Sequence, residues 1–264
     1  MVQLINIIKI GGNVIDDEES LSAFIKIFAA VQGKKILVHG GGKLATKLAE
    51  KLGVQQKMID GRRITDGETL KIVTMVYAGY INKNIVAQLQ ANTCNAIGVC
   101  GADANLVPAT KRNHPTIDYG FAGDVNSSQL GLGSWQVLLD NGLVPVVAPI
   151  THDTRGSLLN TNADTIAQEL AKALSAQYEV NLIYSFEKEG VLLDVNDEAT
   201  VISKLNPTYY NQLKKEEKIF AGMIPKLDNA FAALHAGVKK VIIGKAEALQ
   251  GLIAGSSGTS ITHE

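Results

Sequence analysis

The sequence predicts an α/β fold organised around a mainly parallel sheet, and three observations carry that reading. Short β-branched runs alternate with stretches whose apolar residues fall at helical spacing. The first two of these runs each end in a glycine turn with helix-forming sequence behind it. No internal repeat or low-complexity linker divides the 264 residues, a length that fits one large domain or two closely joined lobes.

Residues 4–10 form a β-branched run closed by Gly11 and Gly12. Asp16, Asp17, Glu18 and Glu19 then place negative charge at a helix start, where it complements the dipole, and Leu21, Phe24, Ile25 and Phe28 give that helix its core face. Residues 35–39 read as a second buried strand ending in Gly40, Gly41 and Gly42, with a helix over about 43–52. A long helix over 67–90, a strand over 96–100 and a hairpin or flap over 115–128 follow. Residues 136–141 end a helix at Gly142, and 143–150 is an apolar strand. Asn162 caps a helix running to about residue 176. Two more buried strands, 180–185 and 240–243, flank a helix over about 224–236 that stops at Gly237.

Composition removes several function classes. Hydrophobic residues at 46% and charged residues at 19% exclude a largely disordered chain. A net charge of −1 gives no footprint for nucleic acid. No apolar run approaches the ~20 residues of a membrane helix, and the first residues lack the features of a secretory leader, so a cytoplasmic protein is expected. Cys94 and Cys100 form neither a disulfide framework nor a metal set; two reduced core thiols are the expectation.

Four constellations carry chemistry. Lys9-Ile10-Gly11-Gly12 and His39-Gly40-Gly41-Gly42-Lys43 put glycines at the carboxyl ends of the first two strands, where ligands bind in open α/β sheets. Glycines there let backbone N–H groups approach an anion, and a helix start adds its dipole. Neither turn matches the Walker or dinucleotide-binding fingerprints. Asn160-Thr161-Asn162-Ala163-Asp164 offers an amide and a carboxylate at another strand-to-helix junction, although alone it reads as simple capping. Gly222-Met223-Ile224-Pro225-Lys226 puts a lysine in the first turn of a helix, a disfavoured place that makes sense beside an anion. Asp60-Gly61-Arg62-Arg63-Ile64-Thr65-Asp66 presents two of the chain's four arginines, and arginine suits bidentate capture of a carboxylate.

In this order the pieces resemble the amino acid kinase family, over nearly the whole chain. The opening Lys-x-Gly-Gly is shared widely in that family; Arg63 with Thr65, and Asn160-Thr161-Asn162-Ala163-Asp164, are narrower and point to its acylglutamate branch. The resemblance implies a three-layer αβα sandwich with a mainly parallel central sheet. Residues 1–175 would form an acylglutamate-binding and phosphoryl-transfer lobe, and 176–264 an ATP-binding lobe. The implied reaction is phosphorylation of the γ-carboxylate of an N-acyl-L-glutamate, acetyl or succinyl, in arginine biosynthesis. ATP is the implied co-substrate, with Mg²⁺ bound through the phosphates and no protein metal site. Lys9 and Lys226 would stabilise the transferring phosphoryl group and Asp164 would organise both lysines. Gly11, Gly12, Gly41 and Gly42 would donate backbone N–H groups, Arg63 would grip a substrate carboxylate, and Asn160 would bind the other end. Gly11, Gly12, Glu187, Gly190, Val191, Leu192, Phe220 and Gly222 would contact the nucleotide.

The chain departs from the family pattern at Ser185-Phe186-Glu187-Lys188-Glu189-Gly190-Val191-Leu192. Glu187 stands there where the pattern has aspartate, and about four extra residues precede the strand, near 178–181. Other readings are a kinase of the glutamate 5-kinase or uridylate kinase type, or a non-catalytic sensor. Arginine-inhibited hexamers of the family carry a helix ahead of the first strand. Here the strand begins at about Gln3, so a homodimer joined through helix 67–90 is expected. Leu70, Val73, Tyr77, Tyr80, Ile81 and Ile85 exceed one buried stripe there, unless both faces pack inside the subunit.

Overall fold

The computed structural model describes residues 2–59, 61–219 and 223–263. Strand β1 (Leu4–Ile10) leads through the short helix α1 (Gly12–Asp16) and α2 (Glu18–Ala30) to β2 (Lys34–His39) and α3 (Gly42–Lys51). A small hairpin, β3 (Lys57–Ile59) with β4 (Arg62–Ile64), precedes α4 (Gly67–Thr74), a π-helical stretch Met75–Ile81, and α5 (Asn82–Ala91). Then come β5 (Ala96–Val99), β6 (Thr110–Lys111), β7 (Ala122–Asp124), α6 (Leu132–Asp140), β8 (Val144–Val147), β9 (Ile150–His152), β10 (Leu158–Thr161) and α7 (Ala163–Leu174). The chain continues with β11 (Glu179–Phe186), β12 (Lys204–Leu205), α8 (Pro207–Lys215), α9 (Ile224–His235), β13 (Lys240–Lys245), α10 (Leu249–Ala254) and β14 (Thr259–Ile261).

The main sheet has eight strands in the order β12-β14-β13-β11-β1-β2-β8-β5. Within it only the β13–β14 pair is antiparallel. Alternate residues of β1 serve opposite faces, as the period of two requires. Ile5 and Ile7 join a core with Ile166, Leu170 and Leu174 of α7. Ile8 and Ile10 join another with Phe24, Ile25 and Phe28 of α2. Helices thus cover both faces, which is the expected three-layer αβα arrangement.

Three expectations change in detail. Helix 67–90 contains a full π stretch, and five of its six named apolar residues pack inward, leaving Tyr80 at 64% exposure beside Met75 at 56%. The strand expected over 143–150 breaks after Val147, because Pro149 lacks an N–H and Ile150 starts β9 in a second sheet. That sheet, β6-β7-β10-β9, contains the flap; its arms are 110–111 and 122–124 rather than 115–128. The residues near 178–181 mostly extend β11, where Leu4 pairs with Glu179. Cys94 is buried and Cys100 partly so, and both are free thiols.

Candidate active site

Lys9 stands one residue before the end of β1, on the face that α7 covers. The α7 start is set locally: the Asn162 side chain accepts from the N–H groups of Asp164 and Thr165, which puts Asp164 in the first turn. The Lys9 ammonium then lies 2.7 Å from the Asp164 carboxylate. Two clefts meet at this ion pair, and Lys9, Gly12 and Asp164 line both.

The first cleft, of about 250 Å³, is lined by the Gly40–Gly42 loop, Arg62, Arg63, Arg112, Tyr77 and Asn160 among others. Three of the chain's four arginines therefore face one cavity, a placement that suits an anionic ligand. Arg63 is buried, and its guanidinium donates to Gln56 Oε1, to the Gly42 carbonyl at 3.0 Å and to Thr46 Oγ1 at 2.9 Å. With a further hydrogen bond to the Tyr77 side chain, these contacts fix the guanidinium in the wall of the cleft. Asn160 donates Nδ2 to Thr65 Oγ1 at 3.0 Å, which leaves its carbonyl oxygen and one N–H for a ligand. Arg112 pairs with Asp124, whereas the Arg62 side chain has no ion-pair or hydrogen-bond partner among the described residues.

The loop between β2 and α3 is held from behind. Gly41 adopts φ +146°, a conformation that favours glycine, and a Cβ there would overlap Ile81 Cδ1 and approach the Tyr77 ring. His39, fully buried at the end of β2, is pushed down to about 4 by burial, with the Lys83 charge adding to the effect. It is therefore neutral at pH 7. The Gly40 carbonyl, 2.8 Å from Nδ1, can only accept, so the proton sits on Nδ1. Nε2 then accepts from Asn82 Nδ2 at 3.1 Å, immediately after the π stretch.

The second cleft, of about 210 Å³, adds Gly11, Asn13, Tyr184, Ser185, Phe186, Glu187, Lys226 and Ile243. Tyr184 pairs with Lys9 across β1 and β11. Burial pushes its phenol well above the usual value, and the charges of Asp164 and Glu169 push it further, so it stays a neutral donor. Ser185 Oγ is buried without a hydrogen-bond partner.

Several sequence expectations need correction here. The N–H of Gly11 is unavailable to a phosphate because it donates to the Ser185 carbonyl at 2.8 Å, continuing the parallel ladder. Asp164 makes an ion pair with Lys9 but not with Lys226, whose ammonium instead stands 5.2 Å from the Phe186 ring centroid. Gly190, Val191 and Leu192 do not line the cleft. Gly190 packs against Thr259, the N–H of Val191 donates to Thr259 Oγ1 at 2.8 Å, and Leu192 bridges to Val201. Apolar burial pulls that segment onto β14. Phe220 and Gly222, like Asp60, lie outside the described residues. Tyr184, Phe186 and Arg112 had no local signal in the sequence; strand register alone brings Tyr184 beside Lys9.

Among the described residues no group of three or more His, Cys, Asp or Glu side chains could hold a metal ion. No helix among them is long and apolar enough to cross a membrane.

The model of the amino acid kinase family matches residues 5–245. The chain belongs to the amino acid kinase family. An acetylglutamate kinase of Cytophaga hutchinsonii is 56% identical over 253 residues, covering 96% of this chain and 95% of the relative. One of Phocaeicola vulgatus is 51% identical over 249 residues, covering 94% and 96%. A crystal structure of a Streptococcus mutans protein superposes with a TM-score of 0.77 at 28% identity, covering 98% of this chain and 99% of that one. The family model thus spans both clefts and the strand-to-helix turns that form them.

Proposed function

We propose that the chain is an ATP-dependent N-acyl-L-glutamate 5-kinase of arginine biosynthesis, with N-acetyl-L-glutamate as substrate. The observation that carries this reading is the Lys9–Asp164 pair on the wall shared by the two clefts. An acceptor in one cleft and a phosphoryl donor in the other would meet at that lysine. The acylglutamate occupies the arginine-lined cleft, where the Arg63 charge faces its α-carboxylate and Asn160 takes the acyl amide. ATP occupies the second cleft, with its γ-phosphate toward Lys9, Lys226 and the N-terminus of α1 at Gly12. The orphaned Ser185 hydroxyl fits a cleft completed by a polar ligand.

A γ-carboxylate oxygen attacks the γ-phosphorus in line, an O–P bond forms, the bond to the β,γ-bridging oxygen breaks, and ADP leaves. No protein nucleophile is needed, because phosphoryl transfer requires positioning and charge neutralisation. The carboxylates that line the second cleft are Asp164, bound to Lys9, and Glu187. Mg²⁺ arriving with ATP would be bound through the phosphates and would neutralise part of their charge.

In this reading residues 1–175 hold the acylglutamate and most of the transfer site, and 176–264 supply Lys226 and the rest of a nucleotide cleft that both segments line. The working form is a cytoplasmic homodimer, supported by an apolar surface hollow formed by Leu44, Leu48, Met75, Val76 and Tyr80. Light scattering at twice the 28.1 kDa chain mass is the expected result. The function itself is tested by ADP release from ATP and Mg²⁺ with each acceptor in turn, and hydroxylamine then traps an acyl phosphate as the hydroxamate. N-acetyl-L-glutamate should give product, while free L-glutamate and uridylate should not. N-succinyl-L-glutamate in the same assay separates the two acyl groups. Preference for uridylate or glutamate, or no turnover at all, would favour the other kinases or a sensor.

A further inference from the structure

We propose that Phe186 is a positioning residue, the aromatic seat that holds the Lys226 ammonium at the edge of the nucleotide cleft. What Lys226 then does rests on the phosphoryl-transfer reading above; the contact itself does not. Lys226 Nζ stands 5.2 Å from the Phe186 ring centroid, within the roughly 6 Å over which a cation is drawn to a ring face. Among the described residues no carboxylate lies within ion-pair distance of Lys226. It also sits in the first turn of α9, where the helix dipole repels a cation. Some other attraction has to hold the side chain over the cleft, and the ring is the partner present.

The choice of a ring has a chemical consequence. Asp164 beside Lys9 cancels a unit charge, so that pair brings little net charge to the cleft. A ring attracts through its quadrupole and carries no net charge, so Lys226 keeps its full positive charge for an incoming polyphosphate. The ring is itself fixed from behind. Phe186 pairs with Lys245 in the β11–β13 ladder, and the preceding carbonyl, that of Ser185, accepts from the Gly11 N–H. A Cβ on Gly11 would come within 3.2 Å of Phe186 Cβ, so the glycine two residues after Lys9 leaves the space in which Phe186 sits. One turn thereby sets both cations: Lys9 directly, and Lys226 through the ring.

A double-mutant cycle on the full chain tests this. Phe186→Leu keeps apolar bulk and removes the ring; it should lower kcat by about two- to fivefold, the size of an exposed cation–π contact. Phe186→Trp should restore the rate. In a Lys226→Ala background Phe186→Leu should cost nothing further, because the contact is already gone. An equal loss in both backgrounds, or no loss in either, would overturn the proposal. A second readout is independent of turnover. The ε-methylene protons of Lys226 should show an upfield ring-current shift by NMR that disappears in Phe186→Leu. Absence of that shift overturns the seat even in an active enzyme. An inactive wild type that shows the shift would contradict the kinase reading and leave the seat standing.

Discussion

The cleft proposed for the acylglutamate and the cleft proposed for the nucleotide share a wall but are built to different degrees. On the acylglutamate side nearly every functional group is tied down. Arg63 is held by Gln56, Gly42 and Thr46, Asn160 by Thr65, and the glycine loop by His39, Asn82, Tyr77 and Ile81. On the nucleotide side Lys226 rests on a ring, Glu187 is exposed and Ser185 Oγ has no partner. The first cleft is organised in advance for one small dianion, which favours discrimination. The second leaves charges and a hydroxyl uncommitted, as suits a polyphosphate that arrives with its own metal ion. Specificity would then reside chiefly in the first cleft, and transition-state charge in the second.

The comparison can be broken at either end. The largest effect should come from Lys226→Ala, which in the proposed reading removes a charge aimed at the transferring phosphoryl group. Its kcat should fall about 10²–10³-fold with KM for the acylglutamate nearly unchanged, as read by coupled ADP release. A change mainly in KM would mean that Lys226 only binds ATP.

Next in size is the pH dependence of stability carried by His39. Its pKa in the fold is depressed to about 4 from 6.5, so the unfolded chain binds more protons between those values. Its contribution is fully present above about pH 6.5 and is lost as pH falls toward 4, to a limit of about 3 kcal/mol. Urea midpoints across that range should fall with acidity in the wild type and less steeply in His39→Gln. Equal slopes would detach His39 from the acid response.

Gly41→Ala should cost about 1–3 kcal/mol, because it combines a left-handed φ with overlap on Ile81. A lowered Tm should accompany a raised KM for the acylglutamate; an unchanged Tm would show that the loop yields easily. The smallest effect expected is from Arg63→Lys, about tenfold in KM for the acylglutamate, since lysine cannot reproduce the planar fork. KM for ATP should stay put. An equal rise in both would point to collapse of the α3 start rather than loss of a carboxylate contact.

Much of this was legible in the chain. Apolar periodicity and glycine stops place β1, β2, α7 and α9 to within two residues, because local pattern and tertiary packing agree there. Lys9, Asp164, Arg63 and Asn160 were recognisable from motif order, and the fold brings them to one cleft. What escaped depends on register and on competition between burial and function. Gly11 looks like a phosphate donor until the β1–β11 ladder claims its N–H. Gly190-Val191-Leu192 looks like a nucleotide loop until apolar burial draws it onto β14. The α8 helix has little signal in the sequence because its charged, tyrosine-bearing surface buries only Tyr210 and Leu213. The π stretch has no signature in composition, and it is what presses Tyr77 and Ile81 against Gly41.

The central claim is that phosphoryl transfer to a carboxylate takes place at Lys9, where the clefts meet. It is tested most directly by ³¹P NMR of ATP, Mg²⁺ and N-acetyl-L-glutamate with wild type and Lys9→Ala, alongside titration calorimetry of the acylglutamate. The wild type should produce an acyl-phosphate resonance together with ADP. Lys9→Ala should bind the acylglutamate within a few-fold of wild type and form acyl phosphate about 10² times more slowly or less. Acyl phosphate formed by Lys9→Ala at the wild-type rate would contradict the account.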